Sequence, residues 1–256
     1  MLKLASTQIH FVLATVATLA LAACGGGDED DGGNNNTGGS GGGGGSGTGS
    51  NVLVSDFETA NGDGKYDGYS EKPDYGWKTA WFTYGDKSAS AMIFPTRMMP
   101  FETVEDPARA PGIHVANAKG SGFSEWGAGM GFNFLVNGVN MPPSRADISA
   151  YKASSFWLKI GSTALNGPIQ VKLVDFDHAL VADGGGCTPL PMGTPMYDCN
   201  NTFQTLISTA TSEWKQFTVT FAEMTEDTWG QKVPMDLKEV IGFQFQVRAN
   251  TTFDFA

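Results

Sequence analysis

Gln244, Gln246 and Arg248 alternate with Phe243, Phe245 and Val247 near the end of the chain. Side chains at i, i+2 and i+4 of an extended strand share a face. The spacing therefore separates an apolar side from a row of two amides and a guanidinium, groups that hydrogen-bond hydroxyls; a plain solvated sheet face is the alternative. A second segment, Val171 to His178, contributes Lys172, Asp175, Asp177 and His178, with the imidazole at the strand's end. Sugar recognition also needs flat aromatic faces for the apolar side of a pyranose. Trp77, Trp81, Tyr84, Trp126, Trp157 and Trp229 are available. Trp157 follows Phe156, so the two face opposite sides of one strand, and Trp157 is a stacking platform if its side is the concave one. Trp214, at the start of a strand, reads as packing under a loop. The candidate ligand-binding set is Trp157, Lys172, Asp175, His178, Gln244, Gln246 and Arg248.

Strands must position these residues. Segments 113–116, 131–136, 155–160, 169–174, 215–221 and 241–248 read as strands, the last two with clear period-two alternation. Val52 to Phe57 is a further short strand, Tyr75 to Tyr84 is aromatic-dense, and residues 85–111 form a long connection carrying Pro95, Pro100, Pro107 and Pro111. No long segment beyond the N-terminus keeps a 3.6 period; short helical turns are expected near 145–151 and 221–225. Strands joined by Gly- and Pro-rich connections predict an all-β fold, a two-sheet sandwich. Residues 51–256 fit one domain by length and can bury a sizeable core.

The ordered set Asp56-Phe57-Glu58, Ser121-Gly122-Phe123, Trp126 to Phe132, Asp147 to Tyr151, Phe156 to Lys159, Trp214 to Phe217 and Ile241 to Phe245 resembles the galactose-binding-like jelly rolls, and among them the family 11 carbohydrate-binding modules. The resemblance spans essentially all of 51–256. It implies a jelly roll that binds β-glucan-like polysaccharide on a concave sheet face. It also implies a structural Ca2+ with Asp56 and Glu58 as N-terminal ligands. The chain departs from the pattern at Phe253-Asp254-Phe255-Ala256, where the family continues through a further acidic segment. Either the last strand is clipped or the native chain runs on.

Cys187 and Cys199 are an even pair in an exported chain, which favours a disulfide over a metal pair, since no histidine lies near both thiols. Export itself follows from the N-terminus. Lys3 precedes an uncharged apolar run, Phe11 to Ala23, too short to span a bilayer and ending in small residues. Leu21-Ala22-Ala23-Cys24 resembles the bacterial lipobox, in which the cysteine thiol becomes lipidated (diacylglycerol, with palmitate). Residues 1–23 are then a lipoprotein signal peptide and Cys24 the lipidation site. Gly25 in place of Asp favours the outer membrane or cell surface within the bacterial envelope. Residues 24–50 are a Gly/Ser/Asn/acidic tether that buries nothing apolar, with a reach of roughly 25–30 Å.

The net charge of −11 disfavours nucleic acid and anionic lipid as partners, leaving polysaccharide as the partner and the membrane engaged through the lipid anchor only. Catalysis has little support. Only His114 and His178 remain after signal removal, in no metal-ligand spacing, and residues 51–256 hold no Gly-x-Ser-x-Gly elbow and no phosphate-cradling loop. Glu58, Glu125, Asp175 and Asp177 are the carboxylates a glycoside hydrolase would draw on. The expectation is non-catalytic polysaccharide binding. The alternatives are a cell-envelope protein-interaction or structural module, and a cellulase-type hydrolase or its accessory module.

Overall fold

The computed structural model describes residues 52–55, 57–58, 68–72, 77–96, 103–135, 143–161, 165–190, 199–230 and 232–256. The signal segment, the tether with Cys24, and Asp56 lie outside them. The strands are β1 (Tyr69–Lys72), β2 (Trp77–Gly85), β3 (Met92–Phe94), β4 (Val104–Glu105), β5 (His114–Val115), β6 (Ala118–Ser121), β7 (Ala128–Leu135), β8 (Ala153–Leu158), β9 (Ile169–Asp175), β10 (Phe203–Ile207), β11 (Lys215–Thr220), β12 (Val240–Val247) and β13 (Phe253–Phe255).

Two layers result. The larger is an antiparallel sheet in the order β1-β2-β7-β12-β9-β10. The second joins β11-β8 to β13-β6-β3. The join is made just past β8: Ile160 bridges Phe255, and Lys159 and Ala256 exchange backbone hydrogen bonds of 2.9 and 3.0 Å. β13 thus has a neighbour on each side.

Alternation sorts the residues. On β12, Phe243, Phe245 and Val247 are buried in the core between the layers, while Gln244 and Gln246 face outward. On β9, Ile169, Val171 and Leu173 are buried against Gln170 and Lys172 on the other side. Phe245 meets Phe156 of the second layer edge to face at 4.9 Å. Trp81 lies 5.1 Å from Phe132 and 5.3 Å from Phe57. Each such burial contributes about 1.5–3 kcal/mol, so this aromatic seam holds the layers together.

Three local expectations are corrected. Described residues 52–55 are not in a ladder, although Val52 and Val54 are buried: packing there needs only the apolar side chains. The aromatic-dense stretch is a full strand, β2, and the connection after it contains β3 and β4. Near 145–151 the expected helical turns reduce to one hydrogen-bonded turn, Tyr151 N to Ile148 O at 2.9 Å. Ala146 bridges Val240, and the Asp147 carboxylate accepts from the Ser149 amide (2.9 Å) and hydroxyl (2.6 Å), so the side chain takes a donor that a helix would have used. The expected turn after β11 is present as a 3-10 turn, Phe221–Glu223.

Cys187 and Cys199 are joined in a disulfide across a separation of 12 residues. Next to it the Cys187 amide donates to Ala179 O (3.0 Å) and the Asn200 amide to His178 O (2.7 Å). The bridge therefore ties the corner after β9 to the start of β10. Loop-closure entropy for a loop this short is worth about 3 kcal/mol. Replacing both cysteines by serine is expected to remove that amount, read as a lower urea midpoint that reductant does not change further.

Candidate functional site

The outer face of the six-stranded sheet follows from register. One row across it is Phe82, Gly131, Gln244, Lys172 and Gln204; the next is Tyr84, Gly129, Gln246, Gln170 and Leu206. Aromatic side chains thus stand over β2, amides and an ammonium over β12 and β9, and two glycines form the strip between. Those glycines are required: a Cβ on Gly129 would lie 1.9 Å from Phe245 O, and one on Gly131 2.4 Å from Phe243 O.

Part of this face is floor. Gln170, Gln204 and Gln246 are buried, and the Gln170 amide donates to Gln204 Oε1 at 2.6 Å. Gln246 donates through Nε2 to Trp126 O (3.2 Å) and accepts at Oε1 from Lys172 Nζ (3.1 Å). Gln246 was expected to touch ligand; it is buried, and each end of its amide already holds one of these neighbours. Its role is to hold Lys172 and the Trp126 backbone in place. Gln244 and Lys172 remain half-buried, and Arg248 is exposed. Burial pushes the Lys172 ammonium down to about 8; Asp227 pulls the other way and Arg248 adds to the depression.

The rims are held rigidly. At one end Trp126, 46% exposed, stacks on Tyr84 with centroids 6.1 Å apart, and Tyr84 lies 5.8 Å from Phe82. Burial pushes the Tyr84 phenol up. The loop carrying Trp126 is pinned by the fully buried Asp86. That carboxylate accepts from the amides of Glu125 (3.0 Å), Trp126 (3.1 Å), Gly127 (3.0 Å) and Ser88 (3.1 Å) and from the Ser88 hydroxyl (2.5 Å). Desolvation would raise its pKa, but the hydrogen bonds from Ser88, Gly127 and Glu125 outweigh it and hold the carboxyl well below the usual range.

At the other end Asn201 is the clamp. Its Nδ2 donates to Asp227 O (3.2 Å) and to Trp229 O, and its Oδ1 accepts from the Asp227 amide at 3.0 Å. Trp229, 43% exposed, donates its indole N–H to Asp227 Oδ2 at 3.3 Å, and Arg248 lies 3.9 Å from the same oxygen.

Asp175 and His178 do not join this face. Asp175 is fully buried and His178 is 3% exposed. The imidazole bonds Asp175 Oδ1 through Nδ1 and Glu226 Oε1 through Nε2 (3.0 Å), and Asp175 Oδ2 accepts from the Asp236 amide at 3.3 Å. Burial would lower the His178 pKa, but Asp175 and Glu226 outweigh it and raise it. This network fastens the loop ahead of Asp227 and Trp229. With every ligand-facing atom already engaged, these two residues are corrected from ligand contacts to internal supports.

Trp157 is also displaced from its expected role. It lies in β8, in the second layer, and packs under the Arg109 guanidinium at 5.4 Å; Arg109 also covers Trp214 at 5.2 Å. Trp214, expected to pack under a loop, donates to Asp106 Oδ2 at 2.9 Å and packs against the core. The ligands expected for a calcium ion are Asp56 and Glu58. Asp56 lies outside the described residues, and Glu58 Oε1 accepts from the His114 amide at 2.9 Å. Among the described residues no group of three or more His, Cys, Asp or Glu side chains converges.

Sequence reading placed Lys172, Gln244 and Arg248 on this face. It named Tyr84, Trp126 and Trp229 only as available aromatics, and missed Phe82, Asp86, Asn201 and Asp227. The pair Phe82/Tyr84, alternating with Trp81, was the one local signal.

No family model matches this chain, and no curated protein does. Two solved structures are similar to it. One is the family 11 carbohydrate-binding module of the cellulosomal cellulase Lic26A-Cel5E of Clostridium thermocellum, 14% identical, with a TM-score of 0.43 over 69% of this chain and 82% of that one. The other is a family 11 carbohydrate-binding module from Clostridium thermocellum in complex with a beta-1,3-1,4-mixed-linked tetrasaccharide, 13% identical, with a TM-score of 0.42 over 74% of this chain and 90% of that one. Both belong to the family that the sequence resembles.

Proposed function

We propose that this domain binds polysaccharide without cleaving it, along the outer face of the six-stranded sheet. The observation that carries this is the pair of exposed indoles, Trp126 and Trp229, at opposite rims of a polar floor bearing Gln244, Lys172 and Arg248. Indole faces take the apolar side of a pyranose ring, and the amide, ammonium and guanidinium take its hydroxyls. The clamps at Asp86 and Asn201 keep both rims in place before ligand arrives, which lowers the ordering cost of binding. A β-glucan-like chain, flat and equatorially substituted, suits such a strip. Display on the bacterial surface through a lipid on Cys24 would add avidity across many copies; Cys24→Ser should then release the protein into the soluble fraction.

Titration of soluble mixed-linkage β-glucan into wild type and Trp126→Ala tests the reading. Loss of one stacking face is worth about 2 kcal/mol, roughly thirtyfold in affinity. Trp157→Ala is the control: it removes packing from the second layer and should lower stability while leaving affinity unchanged. No binding by wild type to any polysaccharide would overturn the proposal, and equal losses in the two variants would overturn the site.

A further inference from the structure

Within an acidic chain, the outer face gathers two cations around one carboxylate. Lys172 is bonded to Gln246 Oε1 at 3.1 Å, and Arg248, just past the end of β12, is close enough to act on the Lys172 charge. Asp227 is the shared counter-ion. It stands 3.9 Å from Arg248, beyond direct hydrogen bonding, and its Oδ2 already accepts the Trp229 indole N–H. In the ionic contacts made by Lys172 and Arg248, two cations thus face this one acid.

Hydroxyl recognition alone does not call for this. Neutral sugars are served by amides such as Gln244, which hold no charge and need no counter-ion. A half-buried ammonium beside an exposed guanidinium is the arrangement that receives a carboxylate, because charge-assisted hydrogen bonds are about twice as strong as neutral ones and a guanidinium matches the two oxygens of a carboxylate. Burial of Lys172 points the same way: its pKa is held down to about 8, a penalty that a second anion would relieve.

Resting on the polysaccharide reading above, we infer that the preferred ligand is an acidic glycan, a β-linked chain in which uronic acid residues place a C6 carboxylate between Lys172 and Arg248. Such a chain keeps the flat equatorial ring that the indoles need and adds the charge that the floor lacks. The net charge of −11 opposes a polyanion at long range, but at 0.15 M salt the screening length is about 8 Å and the contact pair outlasts the distant repulsion.

The test uses a matched pair of ligands, cello-oligosaccharides and the same oligosaccharides oxidised at C6 to glucuronate. Titrated into the mature protein at 0.15 M salt, the oxidised chain should bind about tenfold more tightly. The preference should shrink towards unity at 1 M salt, and in Arg248→Gln and Lys172→Gln at 0.15 M. Arg248 is exposed, so its variant keeps the test valid if the Lys172 variant folds poorly. Equal or weaker binding of the oxidised chain by wild type would overturn this inference and leave polysaccharide binding standing. A preference that persists in Arg248→Gln would overturn the assigned contact. Binding of neither chain would overturn both.

Discussion

Asp86→Ala should cost the domain about 3–5 kcal/mol and cut polysaccharide affinity by more than tenfold, although Asp86 touches no ligand. The carboxylate gathers the amides of Glu125, Trp126 and Gly127, together with the Ser88 amide and hydroxyl. Hydrogen bonds to a charged acceptor contribute about 1.5–3 kcal/mol each, and donors left unpaired cost more than the bond itself. The sum is reduced because water enters the vacated space near the exposed Trp126. Asp86→Asn keeps the volume but turns an NH2 group towards some of the same donors, so it should recover little. A purely structural role would lower the melting temperature alone. A positioning role also blue- or red-shifts the Trp126 emission and weakens β-glucan binding at temperatures where the variant is still fully folded. The pH sign follows from a depressed native pKa. The contribution is complete above the unfolded carboxyl value of about 4 and is lost as pH falls towards the native value. Wild type should therefore lose stability below about pH 4, and Asp86→Ala should lose less of what remains.

The second large effect is expected at Asp175. Its removal leaves the His178 imidazole buried beside Glu226 alone and orphans the Asp236 amide. Breaking one partner of a buried ionic pair costs about 3–5 kcal/mol. Asp175→Ala should unfold at correspondingly lower urea. Here the native pKa of His178 is raised, so its contribution is complete below the ordinary histidine value of about 6.5 and disappears as pH rises through the native one. Wild type should lose stability as pH rises above about 6.5, and His178→Gln should flatten that slope. A wild-type profile that stays level over that rise would show that the imidazole does not carry charge in the native state.

Much of the scaffold was legible because alternation is local. Phe243, Phe245 and Val247 against Gln244 and Gln246 identified a strand with one dry side, and β12 has that form. The same alternation on β2 went unread, because aromatic side chains on both sides masked its period. The division of labour on the open face was not legible, because it depends on contacts between distant segments. Gln246 is a strut since Trp126, 120 residues earlier, folds over it. His178 is internal since Glu226, 48 residues later, closes upon it. Asp86 carries no local signal: its four amide donors belong to a turn next to it and to a loop across the sheet.

The glycines on β7 set limits on how this face can change. With backbone oxygens of β12 where side chains at Gly129 and Gly131 would begin, and Gly242 equally blocked by Phe132 O at 2.1 Å, the central furrow admits no substituent without parting two strands. Change on this face is thereby left to its borders, the segment around Trp229 and, apart from Gly127 and the residues held by Asp86, the turn around Trp126. New ligand preferences would arise by exchanging margins over a fixed bed.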